Sequence, residues 1–150
     1  MPYKGFYRIK NPHKYKGDPT KCVFRSLWER KFMKYCDHNK KVLMWSSEEI
    51  QIPYKSPWDG RWHRYFVDFW VRVDVGTGLT EEYLIEIKPE KQTKAPLVES
   101  KKKLTVGDKK KIITFSINTS KWKAAKEYCA DRGWKFLLLT EKTLFGKKNG

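Results

Sequence analysis

Acidic residues are scarce in this chain: 17 Asp and Glu stand against 33 Lys and Arg, a net charge of +16 over 150 residues. That balance favours a polyanionic partner and by itself says nothing of catalysis. Cysteine is scarce too. Three cysteines, Cys22, Cys36 and Cys129, are odd in number and widely spaced, which excludes a disulfide framework and leaves reduced structural thiols. There is no CxxC or HxxxH pair, so a zinc site built from Cys36, His38 and a third ligand has no supporting pattern. No apolar run approaches the roughly 20 residues of a membrane-spanning helix. The basic opening MPYKGFYRIKNPHKYKGDP lacks the apolar stretch of a secretory signal. A soluble single domain over residues 1–150, made in a cytoplasm and without a membrane partner, is therefore expected. Aromatics are plentiful, with 7 Trp, 8 Tyr and 8 Phe to build a core.

The few acids are concentrated. Residues 1–41 hold 12 basic against 3 acidic residues, and 88–123 hold 11 against 3, whereas 42–87 reverse the balance with 4 against 8. An acidic centre between basic flanks suits a metal site inside a nucleic-acid cleft.

Residues 1–20, with Gly5, Pro12, Gly17 and Pro19 among Tyr and Lys, read as a basic extended arm. FRSLWERKFMKYCDHN, 24–39, places apolar residues three and four apart and predicts an amphipathic helix. VLMW (42–45) and EIQIPY (49–54) read as strands, SPWDGRW (56–62) as a turn, and HRYFVDFWVRV (63–73) as one long strand. DVGTG (74–78) is a hairpin loop, and EEYLIEIK (81–88) the returning strand. The lysine-rich 90–111 reads as a loop with at most a short helix. A helix capped by Thr119 or Ser120 is expected to run to about Arg132 and stop at Gly133, before a doubly buried strand at 134–140. This order predicts an α/β fold, a mixed central sheet flanked by helices.

Side chains alternate along a strand, so in 63–73 Arg64, Phe66, Asp68, Trp70 and Arg72 share one face. In the returning strand Glu82, Leu84, Glu86 and Lys88 share one as well. Strands joined by so short a loop are antiparallel neighbours, and Asp68 and Glu86 can meet on one face. Two carboxylates at close range repel, burial among aromatics worsens the repulsion, and a divalent cation such as Mg²⁺ relieves it. Lys88, beside Glu86, is placed to position a water or to face the charge that develops on a phosphate. Each residue also has a plainer role open to it. Ser26-Leu27-Trp28-Glu29 fits a capping box, in which Glu29 serves only the helix start. Glu86 and Lys88 fit an exposed charge ladder. Asp68 between two aromatics is harder to explain without a partner.

Asp68, 17 intervening residues, then Glu86-Ile87-Lys88 resemble the PD-(D/E)xK nuclease signature, with Glu29 where such nucleases place a glutamate on the first core helix. Over most of its length, through FRSLWE, RYFVDFW, EIKP and INTSKWKAAKEYCADRGWKF, the chain resembles the head completion proteins of T-even-type tailed phages. A weaker similarity reaches the end-cleaving nucleases of transposons. The resemblance implies a restriction-endonuclease-like core and a Mg²⁺-dependent DNA endonuclease, with Mn²⁺ able to substitute, acting in head completion after DNA packaging. It implies Asp68, Glu86 and the Ile87 carbonyl as metal ligands, Lys88 as catalytic lysine, and Glu29 as a further metal- or water-organising acid. The proline that leads the motif is absent, Val67 standing before Asp68. Glu48 is an extra acid expected near the site.

Arg25, Arg64, Lys101, Lys102, Lys103, Lys109, Lys110, Lys111 and Lys121 are expected to follow the DNA backbone, and the start of the INTSKWK helix to offer a phosphate site. Trp58 and Trp62 have base stacking or core packing open to them, core packing being the expectation. His13, His38 and His63 have no partner acid in view. Host cytoplasm during assembly and the virion are the implied locations, with phage head or neck proteins as further partners. A homodimer is open, because cutting both strands calls for two active sites. The rival readings are a non-catalytic DNA-binding head-completion or neck protein, and an RNA-binding basic protein.

Overall fold

The longest antiparallel pairing joins Phe69–Gly76 (β6) to Leu79–Ile87 (β7), with Phe69 opposite Ile85 and Val71 opposite Tyr83. The turn between them places Thr77 at φ 51° and Gly78 at φ 77°, the two left-handed positions that let a two-residue hairpin loop match strand twist. The computed structural model describes residues 4–97 and 103–145.

Around this hairpin stands a four-stranded mixed sheet in the order β3-β6-β7-β8. β3 (Val42–Ser47) runs antiparallel to β6, and β8 (Lys135–Leu139) parallel to β7. Helix α1 (Leu27–His38) covers one face, packing Phe32, Met33 and Cys36 on Trp45, Phe69, Val71 and Ile85. Helix α2 (Val106–Arg132) covers the other, packing Trp122, Ala125 and Cys129 on Trp70 and Leu84. A short helix, α3 (Glu141–Leu144), follows β8. Helices on both faces of a mixed sheet make this the expected α/β fold. All three cysteines are buried and free. Among the described residues no helix is long and apolar enough to cross a membrane.

Three features depart from the sequence reading. The expected single strand 63–73 is two strands. β5 (Trp62–Phe66) pairs with β4 (Gln51–Lys55) in a separate hairpin, and β6 restarts at Phe69. Tyr65 and Val67 consequently pack on the α2 side while Phe69 packs on the α1 side, which unbroken alternation forbids. Phe66 is exposed rather than flanking Asp68 in a core.

Helix α2 begins thirteen residues before Thr119. Thr105 accepts from the Asp108 N–H while the Asp108 carboxylate accepts from the Thr105 N–H, a reciprocal cap that starts the helix despite Gly107 and the β-branched Ile112 and Ile113. The INTSKWK segment is mid-helix, so it has no free N–H groups to offer a phosphate. Gly133, at φ 73°, ends the helix where expected.

The N-terminal segment is pinned rather than extended into solvent. Asp37, fully buried at the end of α1, accepts from Tyr7 Oη at 2.8 Å, Lys10 N at 2.8 Å and Asn11 N at 2.9 Å. Lys14 Nζ donates to the carbonyls of Cys36 (2.7 Å), Asp37 (3.1 Å) and Asn39 (2.9 Å), which caps the negative end of the helix. Short 3₁₀ turns at Pro12–Lys14 and Pro19–Lys21, and strands β1 (Gly5–Phe6) and β2 (Val23–Phe24) paired to each other, complete this strap.

Candidate active site

The break between β5 and β6 creates the site. Val67 N donates to Ile50 O at 3.2 Å and Glu48 N to Asp68 O at 3.0 Å, so the base of the β4–β5 hairpin is tied to the residue that opens β6. Glu48 adopts φ 54°, a left-handed conformation uncommon for a residue with a side chain. Its carboxylate is ion-paired with Arg25, just before α1. The expected extra acid therefore acts as a clasp between the hairpin base and the start of α1, and Arg25 is committed to it.

Asp68, half-buried at the clasp, accepts from the Ile87 N–H through Oδ2 at 2.9 Å. Glu86, 6 % exposed on β7, accepts from Tyr65 Oη through Oε1 at 2.6 Å, and its Oε2 lies 4.0 Å from Lys88 Nζ. Burial raises the Asp68 carboxyl well above the usual range, and the neighbouring Glu86 and then Glu29 push it the same way, against the Ile87 hydrogen bond and Lys88. Burial also raises Glu86, offset in part by Tyr65, Lys88, a backbone bond from Asp68 and Lys121. Tyr65, pressed against Glu86, holds its phenol proton far more tightly than an ordinary tyrosine, by burial first and the carboxylate second. Asp68 thus has one oxygen bonded to the Ile87 N–H, while Glu86 is held by Tyr65 at Oε1, by a backbone bond from Asp68 and by Lys88 beside Oε2.

Glu29 serves the start of α1 and bears electrostatically on Asp68. Ser26 Oγ accepts from Glu29 N at 3.1 Å, capping α1, and Glu29 Oε1 accepts from Arg25 N at 2.9 Å. The same carboxylate adds to the negative field at Asp68. Among the described residues no three His, Cys, Asp or Glu side chains cluster as a metal-binding group.

Sequence reasoning missed two members of the site. Tyr65 gave no signal beyond its place in an alternating strand. Lys121, expected on the DNA backbone, is half-buried beneath Glu86, with Nζ 5.8 Å from the Tyr54 ring centre and 5.6 Å from that of Tyr65. Burial lowers its ammonium pKa, partly countered by Glu86 and Asp68. The remaining expected cations lie further out. Lys103, Lys109, Lys110 and Lys111 are exposed around the start of α2, and Arg64 is exposed with Nη1 3.4 Å from Gln51 Oε1. Lys110 precedes Lys121 by three helical turns, so it lies on the same side of α2, roughly 16 Å along the axis. Lys101 and Lys102 fall outside the described residues.

A mixed sheet between helices, with an acid at the break before β6, a second on β7 and a lysine two residues after it, is a restriction-endonuclease-like fold. The family model described as TnsA-like endonuclease N terminal matches residues 39–141, and the chain belongs to that family. The matched span contains Asp68, Glu86, Lys88 and Lys121 but not Glu29. The head completion nuclease of Enterobacteria phage T4 is 42 % identical over 145 residues, which cover 94 % of this chain and 93 % of that relative. No match was found among solved structures.

Proposed function

We propose that this protein is a divalent-metal-dependent DNA endonuclease that acts in phage head completion after packaging. The observation that carries the reading is the Asp68–Glu86 pair: a half-buried acid and a buried one set beside each other against their mutual repulsion. Such an arrangement is costly unless a cation joins it. The donors are all oxygen and few, which suits Mg²⁺ retaining several waters, with Mn²⁺ as a substitute. Asp68, Glu86 and the Ile87 carbonyl would hold the ion, with Glu29 acting on it or its waters across the cleft. When bound, the ion supplies Lewis-acid polarisation of the scissile phosphate and a more acidic water.

The chain's own groups do the rest. Ile87 N–H fixes the Asp68 carboxylate and Tyr65 Oη fixes Glu86, so both acids are oriented before substrate arrives. The Lys88 ammonium meets the negative charge that grows on the phosphoryl oxygens as water adds and the ester oxygen leaves. Lys121 offsets the charge of the acid pair from below. Lys103 and Lys109 to Lys111 follow the DNA backbone away from the site, with Lys101 and Lys102 continuing that run in the sequence. Work in the host cytoplasm during assembly and retention in the virion fit this role, with head or neck proteins as neighbours and a dimer serving to cut both strands.

The test is cleavage of supercoiled and linear DNA by the purified protein with Mg²⁺, Mn²⁺ or EDTA, beside folded Asp68→Ala and Lys88→Ala variants. Metal-dependent cutting lost in both variants is expected. Tight binding with no cutting under any condition would overturn the reading in favour of a structural DNA-binding head-completion protein.

A further inference from the structure

The β4–β5 hairpin has two faces of opposite character. Its inner face buries Ile52, Tyr54 and Tyr65 against α2. Its outer face, where Lys55 pairs with Trp62 and Pro53 with Arg64, is exposed along its whole length. Trp62 is 69 % exposed, Phe66 44 %, and Trp58, in the turn, 66 %. The expectation that these tryptophans pack into a core is thus reversed. Three large aromatics open to water within nine residues serve no purpose in folding and mark a binding surface.

Charge identifies the partner. Lys55, Arg61 and Arg64 are interleaved with the aromatics. The acid of the turn, Asp59, is taken up by His63 Nε2 at 2.8 Å and by the Arg61 N–H at 2.9 Å. Alternating aromatic and cationic side chains make a stacking platform for bases with attraction for the backbone that carries them. Exposed aromatic rings need base faces to stack on, which unpaired bases offer and bases inside a duplex do not. The net charge of +16 favours a polyanion over a protein as the occupant.

Position ties the surface to the chemistry. The hairpin springs from the Asp68 clasp, and Tyr65, between Arg64 and Phe66, holds Glu86. Trp62 is three residues up the same strand, about 10 Å along the backbone and on the opposite face.

We propose that this hairpin is a platform for unpaired bases, so that the favoured substrate is DNA with a single-stranded arm, fork or branch beside the scissile phosphate. The inference rests on the nuclease reading for its biological sense but is testable without it. Binding is measured in EDTA, which removes metal-dependent cutting. The probes are a forked duplex carrying 2-aminopurine in its unpaired arm and a fully paired duplex of the same sequence. Wild-type protein is expected to prefer the fork and to change the 2-aminopurine fluorescence. Trp58→Ala and Trp62→Ala, at exposed positions the fold tolerates, should each lower the fork-to-duplex affinity ratio at least ~5-fold. Trp62→Phe should restore most of that loss. With Mg²⁺ restored, cuts should fall within a few nucleotides of the junction.

Equal affinity for fork and duplex in the wild type would overturn the proposal, as would equal losses on both probes in the variants. No loss on either probe would overturn it too, and would assign the aromatic face to a protein. A wild type that cuts nothing would sink the nuclease reading alone, because the EDTA arm still decides the platform.

Discussion

Asp37 and Asp68 are both aspartates withdrawn from bulk water in a strongly basic protein, and the fold treats them in opposite ways. Asp37 receives three donors, from Tyr7, Lys10 and Asn11, and has no acidic neighbour among its influences. Burial would raise its pKa, but those bonds outweigh burial and hold it below the usual range. Asp68 receives the Ile87 N–H, faces Glu86 and Glu29, and is driven the other way. A satisfied acid stabilises the strap it anchors. A pair of like-charged acids is costly by itself, and a bound cation would relieve it. Donor count and the sign of the neighbouring charge separate the two cases, where burial alone does not.

The comparison breaks most visibly at Asp68. Asp68→Ala should lower cleavage by at least ~10³-fold, measured on folded protein at saturating metal. Asp68→Asn should lose activity similarly yet raise metal-free stability by about 1 kcal/mol at neutral pH, since it removes one of two like charges. In a chain of this size that is roughly 2–4 °C in Tm. Loss of stability in Asp68→Asn would mean that the pair is structural after all.

Asp37 should show the reverse pattern. Asp37→Ala leaves the Tyr7 hydroxyl and two backbone N–H groups without their acceptor and should cost about 3 kcal/mol, while cleavage per folded molecule stays at the wild-type level. The acid limb of stability follows from the sign of the shift. The Asp37 pKa is depressed in the folded state, so its contribution is full above the unfolded value of about 3.9 and is lost as pH falls through the folded one. Denaturation midpoints from pH 6 down to pH 2 should fall less steeply in Asp37→Asn than in the wild type. A ligand sharpens the contrast further: at one hundred times its Kd, Mg²⁺ should add about 2.7 kcal/mol to the stability of the wild type and of Asp37→Ala, and none to Asp68→Ala.

What could be read in advance follows the same division between local and distant causes. The β6–β7 hairpin was legible because alternation and the Gly76-Thr77-Gly78 turn are local signals, and with it came the face shared by Glu86 and Lys88. The end of α2 was legible from Gly133. Its start was hidden, because β-branched residues and Gly107 mask a helix that the Thr105–Asp108 cap and packing on the sheet sustain. With the helix starting at Val106, Lys121 lies mid-helix and half-buried, within the influence of Glu86 and Asp68. The break at Val67–Asp68 was illegible for a different reason. RYFVDFW has strand propensity throughout, and only the choice of distant partners, β4 before the break and β3 and β7 after it, divides it. Asp37 has a local signature as well: an acid in the last turn of a helix opposes the helix dipole and calls for donors.

Glu29 stands between the two kinds of acid and gives the smallest and most discriminating effect. One oxygen serves the helix start through Arg25 N–H, as in Asp37, and its charge bears on Asp68, as in Glu86. Glu29→Gln keeps the acceptor and removes the charge, so the cap survives and the field at the site changes. Cleavage should fall about 10-fold, in the lower range for a supporting group at a metal site, with Tm within about 1 °C of wild type. Ser26→Ala does the converse, costing the α1 cap about 1 kcal/mol while the charge of Glu29 remains. If Glu29→Gln lowers Tm as Ser26→Ala does and leaves cleavage per folded molecule intact, Glu29 is a helix cap and the catalytic acids are Asp68 and Glu86. If cleavage falls at constant Tm, the first helix supplies a third acid to the site, and its N-cap is the device that holds that acid over Asp68.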